Sequence, residues 1–189
     1  MTDPSLISLF VRPLNLLRIP YLVTGGVASV VYGEPRFTRD IDLVIALQSR
    51  DAARFANAWP AADFYVPPIE VIEEESRRPS AGHFNVIHHD TTMRADIYLP
   101  GADPLNAWAF EHPVVRHIDD DDVILAPIEA VILSKLRYYQ VGQSDRHLRD
   151  IHQMLRISGS MLDRPEFERW VAKLGVEREW QLAQEYHER

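Results

Sequence analysis

GGVASVVYGEPRFTRDIDLV, residues 25–44, is the stretch whose reading decides the fold. It opens on a glycine pair, Gly25-Gly26, that follows the apolar run Tyr21-Leu22-Val23-Thr24 and precedes the small-residue run Val27-Ala28-Ser29-Val30. An apolar run stopped by glycine and followed by small helix-compatible residues reads as strand, turn, helix, the helix ending near Gly33. The stretch closes on Asp40-Ile41-Asp42-Leu43-Val44, where acidic and apolar side chains alternate before the chain turns wholly apolar. That pattern predicts a strand over 40–46 with a polar end and a buried remainder. Residues two apart on a strand share a face, so Asp40 and Asp42 project together and Ile41 and Leu43 point into the core.

Two carboxylates side by side repel, and a divalent cation held by oxygen ligands is the simplest arrangement that keeps both ionised. Taken alone, Asp-X-Asp on an exposed strand end is a weak signal that reads more readily as two solvated aspartates. The glycine pair adds a second element, because glycine lets backbone N–H groups approach an anion and a helix N-terminus favours phosphate. Between them, Arg36-Phe37-Thr38-Arg39 offers a hydroxyl and two cations beside the carboxylates. A third carboxylate comes from Arg94-Ala95-Asp96-Ile97-Tyr98, a second alternating segment in which Asp96 faces away from Ala95 and Ile97. Such a group beside a metal pair serves as ligand and as base for an incoming hydroxyl.

Outward from this stretch, helices and strands interleave. Strands are expected at 63–66, 83–89, 93–99 and 114–118, with an apolar run at 123–125, around a mixed region near 69–75. A helix is expected at about 50–58, and a short amphipathic piece near 105–110. From Pro127 the chain reads as helices alone: about 127–141 with Gly142 as stop, 144–157, then a pair near 164–174 and 177–187. The expectation is an α+β chain: residues 1–126 form a mixed sheet flanked by helices, and residues 127–189 a helical region packed on that core.

Composition bounds the function. The 189 residues are 46% hydrophobic, enough for one sizeable core with a helical appendage. A formal charge of -8 argues against broad attraction to nucleic acid or an anionic membrane, while leaving room for a local basic pocket. The absence of cysteine removes disulfides, thiolate zinc sites and a cysteine nucleophile. Neither a signal peptide nor a membrane span fits the charged, proline-broken first twenty residues, so the cytoplasm is the expected compartment.

Residues 25–44 resemble the signature of the DNA-polymerase-β superfamily of nucleotidyltransferases: Gly-Gly, a spacer of thirteen residues, then Asp-hydrophobic-Asp. More narrowly, Gly-Gly-X-Ala, Tyr32-Gly33, Arg36-X-Thr38 and Asp40-Ile41-Asp42 resemble the AbiEii-type minimal nucleotidyltransferases. The segment PIEAVILSKLRYYQVGQSDRHLRDI, residues 127–151, resembles that group's helical module with its lysine and closing Arg-Asp-Ile. The resemblance implies a nucleotidyltransferase-type sheet and transfer of an NMP from an NTP to a hydroxyl acceptor. It implies Mg²⁺ or Mn²⁺ as cofactor, held by Asp40, Asp42 and Asp96. Gly25, Gly26, Arg36, Thr38, Arg39, Lys135 and Asp150 are then the nucleotide- and phosphate-binding residues. The acceptor, whether RNA, protein or a small molecule, stays open, as does an antitoxin partner. A turnover-deficient nucleotide- or protein-binding module and a metal-dependent phosphohydrolase are competing readings of the same carboxylates.

Lys135 can also be read without the resemblance. Ile128, Val131, Ile132, Lys135 and Tyr139 share one helix face, so an ammonium lies in an apolar stripe and needs an anionic partner or a route to the surface. Arg146 and Asp150, four apart on the next helix, read as a surface ion pair. His83, His88 and His89 read as ordinary strand histidines, Glu73-Glu74-Glu75 as an exposed helical face, and Asp119 to Asp122 as a solvated acidic turn.

Overall fold

The computed structural model describes residues 4–187, and the chain divides into two compact units. The first takes in the residues up to 27 and Thr38–Ala126; the second takes in Ala28–Phe37 and the chain from Pro127 onward.

The first unit is built on a seven-stranded sheet. A π-helical turn, Ile7–Val11, runs into α1 (Arg12–Leu17), with Pro13 in its first turn, where a missing N–H costs nothing. Pro13 therefore starts a second helical piece. Strand β1 (Tyr21–Thr24) leads directly into α2 (Gly25–Tyr32), whose residues from Ala28 onward belong to the second unit. Then come β2 (Asp40–Ile45), a 3-10 turn at Ser49–Asp51 with α3 (Ala52–Ala56), β3 (Phe64–Tyr65) and α4 (Ile69–Ser76). The mixed region near 69–75 is thus a helix. Strands β4 (His83–His88) and β5 (Arg94–Tyr98), α5 (Pro104–Glu111), β6 (Val114–Ile118) and β7 (Asp121–Leu125) complete the unit. α5 starts on a side-chain cap, Asp103 accepting from the Leu105 N–H at 2.9 Å.

Strand order is β3-β4-β5-β2-β1-β7-β6. β2 lies antiparallel to β1 and parallel to β5, and β5 is antiparallel to β4. At the Asp40 end of the central strands buried and polar side chains alternate. Val23, Ile41, Leu43, Ala95, Ile97, Phe84 and Val86 are buried on one face. On the other face Thr24 pairs with Asp42, Asp42 with Asp96, and Asp96 with Asn85, a polar row across four strands in register. Burial of one face fixes the register, because a one-residue slip would turn these acids into the core.

The acidic turn differs from expectation. Asp121 and Asp122 belong to β7, and Asp121 is buried, accepting from Arg12 at Nε (3.0 Å) and at the terminal nitrogen (2.8 Å). A carboxylate in a bidentate guanidinium fork is a structural tie, not a solvated charge.

The second unit is helical: α6 (Ile128–Gly142), α7 (Asp145–Ser158), a 3-10 turn at Gly159–Met161, α8 (Arg164–Leu174) and α9 (Glu177–Glu185). Gly142 is the last residue of α6 and not its stop; Gln143, with φ 50°, makes the left-handed turn that ends the helix. The core comes from Val131, Ile132 and Leu136 on α6, Ile151 and Met154 on α7, and Phe167 and Trp170 on α8. Phe167 meets Trp180 of α9 edge to face at 4.8 Å. Among the described residues, no helix is long and apolar enough to cross a membrane.

Candidate functional site

The polar face of the central strands carries the first cluster. Asp42 and Asp96 are cross-strand partners, and Asp40 is the cross-strand partner of Arg94. Period-2 alternation on β2 and β5 places all four side chains on one face. Asp96 is largely covered, its side chain 14% exposed, while Asp40 is half exposed at 49%.

Gly25 adopts φ +55°, a conformation an L side chain enters only with strain. A Cβ built there would lie 1.9 Å from Asp42 Oδ2 and 2.4 Å from its Cγ. Glycine is therefore required twice, by backbone conformation and by the approach of the carboxylate. The Gly26 N–H donates to Asp42 Oδ2 at 3.0 Å. In this structure the glycine pair seats the second aspartate, where the sequence pointed to a phosphate.

Thr38 and Arg39 fix the entry to β2. The Thr38 hydroxyl donates to the Asp40 carbonyl at 3.0 Å and accepts from the Asp40 N–H at 3.3 Å. The Arg39 carbonyl accepts from the Arg94 N–H at 3.0 Å, tying β2 to β5 just before Asp40.

Beside this cluster stand one residue given no role in the sequence reading, Arg94, and one read there as an ordinary strand histidine, His83. Arg94 Nε lies 3.0 Å from Asp96 Oδ1 and 3.2 Å from Oδ2, and its terminal nitrogen lies 3.4 Å from Asp40 Oδ2. One guanidinium thus bridges the first and third aspartates. His83 on β4 stands with its Nε2 4.0 Å from Asp96 Oδ1, beyond hydrogen-bond range, and tilts against Tyr98 at 4.8 Å. Arg94 could have been found from its place two residues before Asp96 on one strand face, and His83 from the β4–β5 hairpin, whose register sets Asn85 opposite Asp96.

The three aspartates suit a hard divalent cation by donor type: they are oxygen ligands on adjacent, rigidly registered strands. The side-chain-free approach of Gly25 leaves room for Asp42 in that set. Among the described residues no three such side chains gather closely enough to hold a metal ion, and Asp40 and Asp96 both face Arg94.

The second cluster lies within the helical unit. Lys135 is 5% exposed, and its Nζ donates to Asp150 Oδ2 at 2.7 Å. Arg36 reaches the same oxygen at 3.3 Å. The expected anionic partner of Lys135 is therefore a carboxylate in this structure. Asp150 is itself buried and ties these two cations, so the surface pair with Arg146 is not what holds it. Arg36, expected beside Asp40 and Asp42, is committed to Asp150. Burial pushes the Asp150 pKa up, but Lys135 and then Arg36 overcome it, and the carboxyl ends below its ordinary value. His147 is pushed below its ordinary value by burial and then by Lys135, and its buried Nδ1 has no hydrogen-bond partner. Its ring stacks on Tyr138, centroids 6.0 Å apart. His88, by contrast, is an ordinary strand residue bonded to Thr91 Oγ1 at 2.9 Å.

The nucleotidyltransferase-like protein of Paracoccidioides brasiliensis, described as antigenic, superposes with a TM-score of 0.57 at 20% identity, over 94% of this chain and 88% of that one. The antibiotic-resistance factor ANT(2'')-Ia, known from a solution structure, superposes with a TM-score of 0.52 at 14% identity, over 94% of both chains. At those identities the likeness concerns the fold, which is that of nucleotidyltransferases. Comparison with curated proteins returned no match. The family model described as nucleotidyl transferase AbiEii toxin, Type IV TA system, matches residues 8–187, nearly the whole chain. With Gly25 seating Asp42 and Asp42 in register with Asp96, the chain belongs to the AbiEii family of nucleotidyltransferase toxins.

Proposed function

We propose that the chain transfers a nucleoside monophosphate from an NTP to a hydroxyl acceptor, with Mg²⁺ or Mn²⁺ held by Asp40, Asp42 and Asp96. The observation that carries the reading is the registered acidic row: Asp42 opposite Asp96, Asp40 on the same face, and a glycine touching Asp42 where any side chain would clash. When bound, the divalent ion neutralises triphosphate charge and stabilises the attacking and departing oxygens.

The protein's own groups do the rest. Asp96, the more shielded of the two acids that Arg94 bridges, accepts the proton of the acceptor hydroxyl as its oxygen attacks the α-phosphorus. A new oxygen–phosphorus bond forms there, the bond to the bridging oxygen breaks, and pyrophosphate departs. Gly25 and Gly26 keep side chains away from the turn beside Asp42, and Thr38 fixes the backbone that aims Asp40. Arg39 is an exposed cation one residue before Asp40, suited to phosphate oxygens. In the helical unit Lys135, held by Asp150 and accompanied by Arg36, is assigned to nucleotide phosphate by the family resemblance. Its immobilised ammonium is what such a contact needs.

The family points to an antitoxin partner, and the cytoplasm is the proposed compartment. The acidic net charge of -8 favours an acceptor that enters one small cleft over one that needs a broad basic footprint. Incubation with each labelled NTP, Mg²⁺, and separate RNA and protein fractions tests the reading. Label should move from one NTP to one acceptor class. Nucleotide binding without labelling across a broad acceptor set would favour a binding module, and release of inorganic phosphate without transfer would favour a hydrolase.

A further inference from the structure

We propose that Arg94 is a built-in counter-cation that the divalent ion must displace, and that its release couples metal binding to nucleotide binding. The inference rests on the assignment of Asp40 and Asp96 as metal ligands. Its basis is the bridge: the guanidinium contacts both oxygens of Asp96 at 3.0 and 3.2 Å and Asp40 Oδ2 at 3.4 Å.

A guanidinium this close to Asp96 and Asp40 competes with a divalent ion for the same carboxylates. Its Nε occupies lone pairs on both oxygens of Asp96, its terminal nitrogen stands against Asp40, and two cations so close repel each other. The exchange is mechanically easy, because the Arg94 side chain is 41% exposed and can swing outward without opening the core. The return is equally well defined. The Arg94 N–H is bonded to the Arg39 carbonyl, and its Cα is paired with that of Asp40, so the stem always starts from one place. While no nucleotide is present, the bridge offsets one of the two charges of Asp40 and Asp96 and eases the repulsion between them.

Once displaced, the guanidinium stands beside a newly loaded cation and needs an anion. Phosphate oxygens of the nucleotide are the bidentate partner that guanidinium geometry fits best. Metal therefore binds weakly alone and tightly with NTP, and by linkage the nucleotide gains from metal to the same degree. Arg94 acts in this scheme as a residue that sets binding order, and chemistry at the α-phosphorus does not run through it.

The test is a Mn²⁺ titration followed by the EPR signal of free ion, on wild type, Arg94→Met and Asp42→Ala, with and without a non-hydrolysable NTP analogue. Arg94→Met keeps the apolar stem and removes the charge. Without nucleotide, Arg94→Met should bind Mn²⁺ roughly tenfold more tightly than wild type. The analogue should tighten Mn²⁺ binding in wild type and do so much less in Arg94→Met. Arg94→Lys, which keeps the charge and loses the fork, should fall between the two and serves if Arg94→Met does not fold. Mn²⁺ binding that depends on Asp42 but is unchanged or weakened by Arg94→Met would overturn the role of Arg94 alone. No Asp42-dependent Mn²⁺ binding in any variant, with or without nucleotide, would overturn the metal assignment and this inference with it.

Discussion

Replacing Gly25 with alanine tests how the glycine pair serves the acidic row. The added Cβ would sit 1.9 Å from Asp42 Oδ2, 2.4 Å from Cγ and 2.7 Å from Cβ, so the whole carboxylate side chain must retreat by more than an ångström. The φ of +55° adds about 1–2 kcal/mol of backbone strain for any L side chain. The displaced carboxylate also loses the 3.0 Å bond from the Gly26 N–H, an interaction of about 1.5–3 kcal/mol when the acceptor is charged. Asp42 is only partly buried, which places the summed loss of stability nearer about 3 kcal/mol than the sum of the upper limits. A ligand moved by about 1 Å costs on the order of a hundredfold in rate, so activity should fall further than stability. Urea unfolding followed by circular dichroism measures the first, and transfer of α-labelled NMP the second. Gly142→Ala is the control: nothing lies within 4 Å of the position its Cβ would take and it closes a helix, so it should be neutral or stabilise by about 0.5 kcal/mol. If Gly25→Ala matches wild type in both assays, the seat described for Asp42 is wrong.

The buried cluster of the helical unit gives an asymmetric pair of variants. Asp150→Ala removes the carboxylate that both Lys135 and Arg36 share and should cost about 3–5 kcal/mol, whereas Lys135→Met leaves Asp150 bonded to Arg36 and should cost clearly less; equal losses in urea unfolding would contradict the shared-oxygen geometry. Acid should weaken the fold in two stages. The His147 pKa is lowered on folding, so its contribution is full above its ordinary 6.5 and is lost as pH falls below that value. The Asp150 pKa is also lowered, so its contribution is full above 3.8 and disappears as pH falls through the folded value. His147→Gln should flatten the upper stage of the urea midpoint against pH and leave the lower one; a curve parallel to wild type would remove His147 as its source.

What the sequence disclosed and what it hid follow one physical line. The faces of β2 and β5 were legible because alternation has a period of two and burial is strong: Ile41, Leu43, Ala95 and Ile97 are fully buried, and the aspartates between them are not. The helices after Pro127 were legible from apolar spacing and from their glycine and proline punctuation. Partners distant in sequence were hidden. Asp150 looked like half of a local pair with Arg146, yet its strongest bond goes to Lys135, fifteen residues earlier on a different helix. Asp121 looked solvated, yet it pairs with Arg12. His83, read as an ordinary strand histidine, comes near Asp96 only through strand register, which local periodicity leaves open, whereas Arg94 shares a strand face with Asp96 and was given no role although the period of two places it there. The glycine pair was identified as functional, but its contact with Asp42 required β1, β2 and the start of α2 to be in place together.

The most direct test of the central claim compares wild type and Asp42→Ala with α-labelled and γ-labelled NTPs in Mg²⁺, each against RNA and protein fractions. Wild type should move the α-label to acceptor and release pyrophosphate, and both EDTA and Asp42→Ala should abolish the transfer without unfolding the chain. Transfer that persists in Asp42→Ala, or an acceptor labelled by the γ-phosphate instead, would contradict nucleotidyl transfer at the acidic row.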